Sequence, residues 1–373
     1  MISNGDSKRI AALDGLRGVA ICMVLWQHLA KPFLPLDGGW AWLRSLTDLS
    51  WAGVDVFFVL SGYFIGGILI DHRRSPRLGR VFYLRRALRI LPLYYLTLVV
   101  IPTLVAGPMP GASHLFPFPV YLFFGTNFAL VWADAWDWLP LSILWSLAVE
   151  EQFYLLGPWV VRVLVPRWLP WFAVGTALGV WAVRAALLLV YPEGYFAAHM
   201  LMPFRMDGFA LGGWVAWAVR DEAARTFLRR TWMGHRAAVI GGMILAAVAM
   251  IQLGWTRPAS GAPSLCFYGY TLIAGFSAVV IAMVAIGESP LLLRLLGVRP
   301  LVHLGRHAYF IYLMHPLVNF GLTTIRGSGQ PGAAVLQNIS LGVATLGLTW
   351  SLAALSWKWF EGPLVRAGHA HAY

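Results

Sequence analysis

Apolar runs long enough to cross a bilayer recur along the whole chain, separated only by short polar stretches. A bilayer core takes about 20 apolar residues per helix. Candidate segments fall at about 11–29, 52–70, 88–106, 118–132, 140–161, 169–190, 203–219, 237–254, 266–286, 304–323 and 334–357. The residue mix agrees. Of 373 residues, 59% are apolar and 12% charged, where a soluble domain carries about a quarter charged. This excludes a disordered chain, a coiled coil and an ordinary soluble enzyme. The longest polar stretch is too short to bury a core of its own. Residues 1–373 therefore read as one integral membrane domain, an all-α polytopic helical bundle with short tails over about 1–9 and 361–373.

Charge fixes the orientation. Lysine and arginine number 28 against 16 aspartates and glutamates, a formal charge of +12. Because the basic residues lie between apolar runs, the pattern is that of cytoplasmic membrane loops, and no nucleic-acid partner is expected. The stretch 71–86 holds Arg73, Arg74, Arg77, Arg80, Arg85 and Arg86. A second basic loop, 220–236, holds Arg220, Arg225, Arg229, Arg230 and Arg236. Both belong inside by the positive-inside rule. They reach the same side only if segment 118–132, followed by Asp134 and Asp137, does not cross fully. The reading is about ten crossings, one partial or re-entrant segment, and both termini in the cytoplasm. Cys22 and Cys266, alone in apolar stretches, give no disulfide framework.

Ionisable residues inside spans cost a few kcal/mol on insertion scales and are therefore site candidates. Arg17 and His28 are eleven residues apart on the first span. That is close to three helical turns, so both project from nearly one face. Asp14, three residues before Arg17, is placed to pair with it. Histidine titrates nearest neutrality and suits proton transfer; its plain alternative is an interfacial histidine bonded to a headgroup or carbonyl. Asp55, Ser61 and Tyr63 are the polar members of the second span, where helix packing is the plain role. Arg86 and Arg89 share a face at i, i+3 as the third span begins. Paired guanidinium forks match phosphate oxygens, although lipid phosphate would account for them too. Glu150 and Glu151 sit in an apolar run and point about 100° apart on a helix. Asn127, Trp145, Arg205 with Asp207, and His315 complete the polar candidates, Arg205 and Asp207 being positioned to offset each other. Trp132, Trp136, Trp138 and Trp145 would stack on sugar rings or simply mark the bilayer interface. No close set of histidine and carboxylate ligands implies a metal.

Four blocks together resemble the acyltransferase-3 family of integral membrane acyltransferases: LDGLRGVAICMVLWQH (13–28), GVDVFFVLSGYFIGGIL (53–69), FYLRRALRILPLYYL (82–96) and LWSLAVEEQFYLLGP (144–158). RMDGFALGG (205–213), YFIYLMHP (309–316) and FEGP (360–363) add weaker support. The resemblance implies about ten membrane helices. It also implies transfer of an acyl group, usually acetyl, from cytoplasmic acyl-coenzyme A to a hydroxyl on a saccharide or polyketide-type acceptor. The family's R-x10-H pattern falls on Arg17 and His28, its RxxR on Arg86 and Arg89, and its glutamate block on Glu150 and Glu151. His28, Glu150, Glu151 and Arg17 are thus the catalytic candidates, His28 acting either as general base on the acceptor hydroxyl or as carrier of the acyl group. Arg86, Arg89 and Arg17 are the candidates for coenzyme binding. Asp55, Ser61, Tyr63, Asn127, Trp145, Arg205 and His315 are those for the acceptor. The expected location is a bacterial cytoplasmic membrane, with membrane lipid as a neighbour. Some members carry an SGNH hydrolase-like domain; the chain as read has none after its last span. A proton-coupled transporter or flippase for a lipid-linked saccharide is the competing class, since it too would place His28, Glu150 and Arg17 in spans.

Overall fold

A computed structural model describes residues 4–30, 47–104, 116–136, 138–164, 166–253, 255, 263–326 and 335–373. All regular structure among them is helical. Six helical segments are long and apolar enough to cross a membrane: Lys8–Leu29, Asp48–His72, Leu169–Val190, Glu222–Gln252, Leu265–Ile286 and Gln337–His369. The protein is therefore an all-α, largely membrane-spanning one. Other expected spans are helical but carry ions or stop short. Leu78–Leu104 holds four arginines, and Leu144–Val163 holds Glu150 and Glu151. Met206–Ala218 has 13 residues, about 20 Å of helix against a core of about 30 Å. Residues 105, 106, 254 and 334, at the ends of three expected spans, lie outside the described residues, as does Asp137.

Segment 118–132 is not one helix. It folds as Phe118–Leu122 and Thr126–Ala133, each too short to cross. The break lies at Phe124, whose φ of 56° is left-handed, a region that side chains with a Cβ rarely adopt. Stacking of Phe124 on Tyr94, with ring centroids 4.3 Å apart, holds the turn. The basic stretch 220–236 differs from the expected loop. It is the first half of the 31-residue helix Glu222–Gln252, capped where the Asp221 carboxylate accepts from the Ala224 N–H at 2.9 Å. Arginine, alanine and leucine are good helix formers, and they continue the helix to a kink at His235.

The chain divides into two compact units. One comprises Met1–Ala20, Asp48–Arg73 and Val149–Arg306; the other comprises Ile21–Thr47, Arg74–Ala148 and His307–Tyr373. In the first, the Gly53–His72 helix lies along Met206–Ala218, which also meets Leu169–Val190 and Tyr270–Ile286. Small residues permit this closeness. A Cβ on Gly62 would overlap the carbonyl of Phe209, and one on Gly212 the carbonyl of Val59. Val59, Leu60, Val215, Ala278 and Ile281 form part of the apolar core alongside this seam. At its end Arg220 grips both oxygens of Asp71 at 2.7 and 2.8 Å.

In the second unit Ala308–Arg326 packs on Val335–Ser356, and Gly362–His369 on Leu78–Leu104. Tyrosine hydroxyls tie helices together by donating to backbone carbonyls. Tyr309 donates to Ile90 at 2.8 Å, and Tyr312 to Ile143 at 2.9 Å.

Candidate active site

His28 lies near the end of the continuous Asn4–Leu29 helix. Its Nδ1 is 3.0 Å from Nε2 of His315, on the Ala308–Arg326 helix. The ring planes are within 8° of parallel, but the centroids are 5.2 Å apart. The rings therefore meet edge to edge, with the hydrogen bond in their common plane, rather than face to face. His315 has no exposed surface, whereas His28 is half-buried. The structure thus sets His315, expected to touch the acceptor, against the histidine of the R-x10-H motif.

The arginines of the RxxR motif lie on Leu78–Leu104, one turn apart and half-buried. Arg86 stands 6.0 Å from the Phe82 ring. Neighbouring Arg85 donates to the carbonyl of His371 at 2.5 Å and covers the Tyr373 ring at 4.5 Å. Three guanidinium groups within five residues form a donor set suited to phosphate. In the same unit Asn127 and Trp145 are buried, and Trp138 meets Phe320 edge-on. Of the four tryptophans weighed for sugar stacking, Trp132 and Trp136 point outward, while Trp138 and Trp145 are buried in packing.

The first unit gathers the remaining candidates. Ser61 donates to one oxygen of Glu150 at 3.0 Å, and Tyr154 donates to the other at 2.8 Å. Ser61 and Tyr154 are themselves 3.2 Å apart. Glu150 rather than Glu151 closes this triangle, because Tyr154 lies one helical turn beyond it. Tyr63 packs its ring against Phe64. Arg17 approaches Asp14 at 3.9 Å, and Arg306 takes the second Asp14 oxygen at 3.1 Å.

Arg205 and Asp207 do not offset each other. Two residues apart at a helix start, they face different neighbours. Arg205 pairs with Asp55, while Asp207 pairs with Arg184 and accepts from Thr271 at 2.7 Å. All four ionic side chains are almost wholly buried. Tyr270 lies beneath the Arg205 guanidinium, with the ring centroid 4.0 Å away. Asp55 and Arg205 thus form a buried ion pair. Arg184 escaped the sequence reading although an arginine inside LGVWAVRAALLLV is the same signal of an ion in a span. Tyr154 and Tyr270 gave no such signal. Among the described residues no group of three or more metal-ligating side chains is placed to hold a metal ion.

A family model described as "Acyltransferase domain" matches residues 10–354. O-acetyltransferase OatA of Staphylococcus aureus (strain NCTC 8325 / PS 47) is 26% identical over 378 residues, covering 96% of this chain and 58% of the relative. Peptidoglycan O-acetyltransferase OatA of Listeria monocytogenes serovar 1/2a (strain ATCC BAA-679 / EGD-e) is 25% identical over 382 residues, covering 97% and 56%. A putative O-acetyltransferase, SACOL0978 of Staphylococcus aureus (strain COL), is 24% identical over 380 residues, covering 96% and 58%. The chain spans a little over half the length of these relatives. No solved structure matches it.

Proposed function

Because this chain belongs to the acyltransferase-3 family, we propose that it moves an acyl group from acyl-coenzyme A to a hydroxyl of a glycan-type acceptor. Acetyl is the donor group suggested by the relatives' names, and a cell-wall or surface saccharide is the acceptor class. The observation that carries the reading is the family match over residues 10–354. The family's R-x10-H, RxxR and glutamate motifs stand on Arg17 and His28, Arg86 and Arg89, and Glu150 and Glu151.

Acyl-coenzyme A is a polyanion. Arg86 and Arg89 take its phosphates at the cytoplasmic side, since guanidinium forks bind phosphate oxygens in two places at once. The proposed topology keeps about ten crossings, with the 118–132 segment partial and the basic stretches inside a bacterial cytoplasmic membrane. His28 acts as general base. It takes the proton of the acceptor hydroxyl as that oxygen attacks the thioester carbonyl carbon. The carbon–sulfur bond breaks, and the departing thiolate recovers the proton.

The test uses purified full-length protein, radiolabelled acetyl-coenzyme A and peptidoglycan fragments or a surface polysaccharide. Label should pass to the saccharide or to water. A His28→Ala variant that elutes and melts like wild type should not release coenzyme A thiol above background. Full activity in that variant would overturn the assignment.

A further inference from the structure

The histidine pair carries more than a contact, because its hydrogen bonds run in one direction. His315 Nδ1 is 3.0 Å from the carbonyl oxygen of Ile311, one turn earlier on its own helix. A carbonyl only accepts, so Nδ1 of His315 bears a hydrogen. In a neutral ring the other nitrogen then bears the lone pair, and Nε2 of His315 is an acceptor. Its neighbour at 3.0 Å is Nδ1 of His28, which must therefore be the donor. The remaining nitrogen of His28, Nε2, is left with the lone pair.

The sequence around His315 supports this order. Pro316 follows it inside the helix and has no N–H to offer the Tyr312 carbonyl. The Tyr312 carbonyl thus loses its helical donor, next to the Ile311 carbonyl to which the His315 ring donates. The fully buried ring is anchored by backbone at one nitrogen and presents a fixed acceptor at the other.

We propose that His315 is a positioning residue that sets the tautomer of His28, so that Nε2 is the nitrogen that takes the acceptor's proton. This rests on the reading of His28 as general base. The bond that forms is Nε2–H, and the one that breaks is the acceptor O–H. The imidazolium so formed keeps its Nδ1–H on His315, and Nε2 returns its proton to the departing thiolate. Burial of His315 makes it a partner of His28 rather than a contact for substrate.

The experiment separates the tautomer from the activity. Full-length protein carrying ¹³C,¹⁵N-histidine is reconstituted in vesicles of bacterial phospholipid, and the His28 signals are assigned by their loss in His28→Ala. At a pH where the ring is neutral, His28 should show a protonated Nδ1 and an unprotonated Nε2. The reverse tautomer overturns the inference even if acyl transfer is intact. His315→Gln places a carboxamide oxygen able to accept from His28 Nδ1, and should preserve that tautomer. His315→Ala should release it and lower kcat for coenzyme A thiol release about 100-fold, with KM for acetyl-coenzyme A within about twofold. His315→Gln should recover all but about fivefold of kcat. Equal losses in the two folded variants would overturn the positioning role. If His315→Ala does not fold, the wild-type and His315→Gln spectra decide. A fully active His28→Ala would instead overturn the general-base reading, whichever tautomer the spectra show.

Discussion

In the first unit, two pairs of ions inside the spans are opposite charges locked together, Arg205 with Asp55 and Arg184 with Asp207, while Glu150 is held by hydroxyls. In the second, the polar pair is two imidazoles sharing one hydrogen bond, and the arginines of the RxxR motif are only half-buried. Both arrangements place polar groups where hydrocarbon would surround them, yet they differ in what is left over. A buried salt bridge spends its charge on its partner and fixes helices. A histidine bonded through one nitrogen keeps the other for chemistry. Ionisable residues in a membrane domain thus divide by the partner they meet, not by residue type alone.

That contrast breaks if the two kinds of pair respond alike to truncation. The largest effect should come from His28→Ala, which removes the proposed base. Acyl transfer followed by labelled acetyl-coenzyme A should fall about 1,000-fold or more, while the melting temperature in detergent moves little. Arg205→Ala should do the opposite. It strands the Asp55 carboxylate in the interior and should cost about 3 kcal/mol of stability, read as loss of the monodisperse peak on warming. Replacing both partners, as Asp55→Leu with Arg205→Met, should recover much of that loss. A neutral Arg205→Ala would remove the fixing role of the pair.

Smaller effects sharpen the comparison. Arg86→Ala with Arg89→Ala should raise the apparent Kd for coenzyme A about 10-fold or more, roughly 1.4 kcal/mol, measured by calorimetry on purified protein. Unchanged affinity would return these arginines to lipid anchoring. Asp71→Asn breaks the bidentate pair with Arg220, but both side chains are partly open to solvent. Its cost should stay near 0.5 kcal/mol, a shift of a degree or so in thermal melting.

Much of the helical membrane architecture was legible in runs of apolar residues, because hydrophobic length is a local property. His28 was legible for the same reason: an imidazole eleven residues from Arg17 on an apolar helix needs no tertiary knowledge to stand out. Its partner was not, since His315 lies 287 positions away. The Arg205–Asp55 pair, 150 residues apart, was hidden likewise, and nearness in sequence suggested Asp207 instead. Glu150 and Glu151 were indistinguishable until Ser61 and Tyr154 were seen to converge on the first of them. The basic stretch 220–236 has the charge pattern of a loop, yet the helix propensity of its arginines and alanines makes most of it helical.

The seam at Gly62 and Gly212 has a mechanical side. Backbones that touch without intervening side chains make the spacing of Gly53–His72 and Met206–Ala218 intolerant of even one added methyl group at Gly62 or Gly212. Within their unit a larger residue at either glycine would push these two helices apart along their whole shared seam.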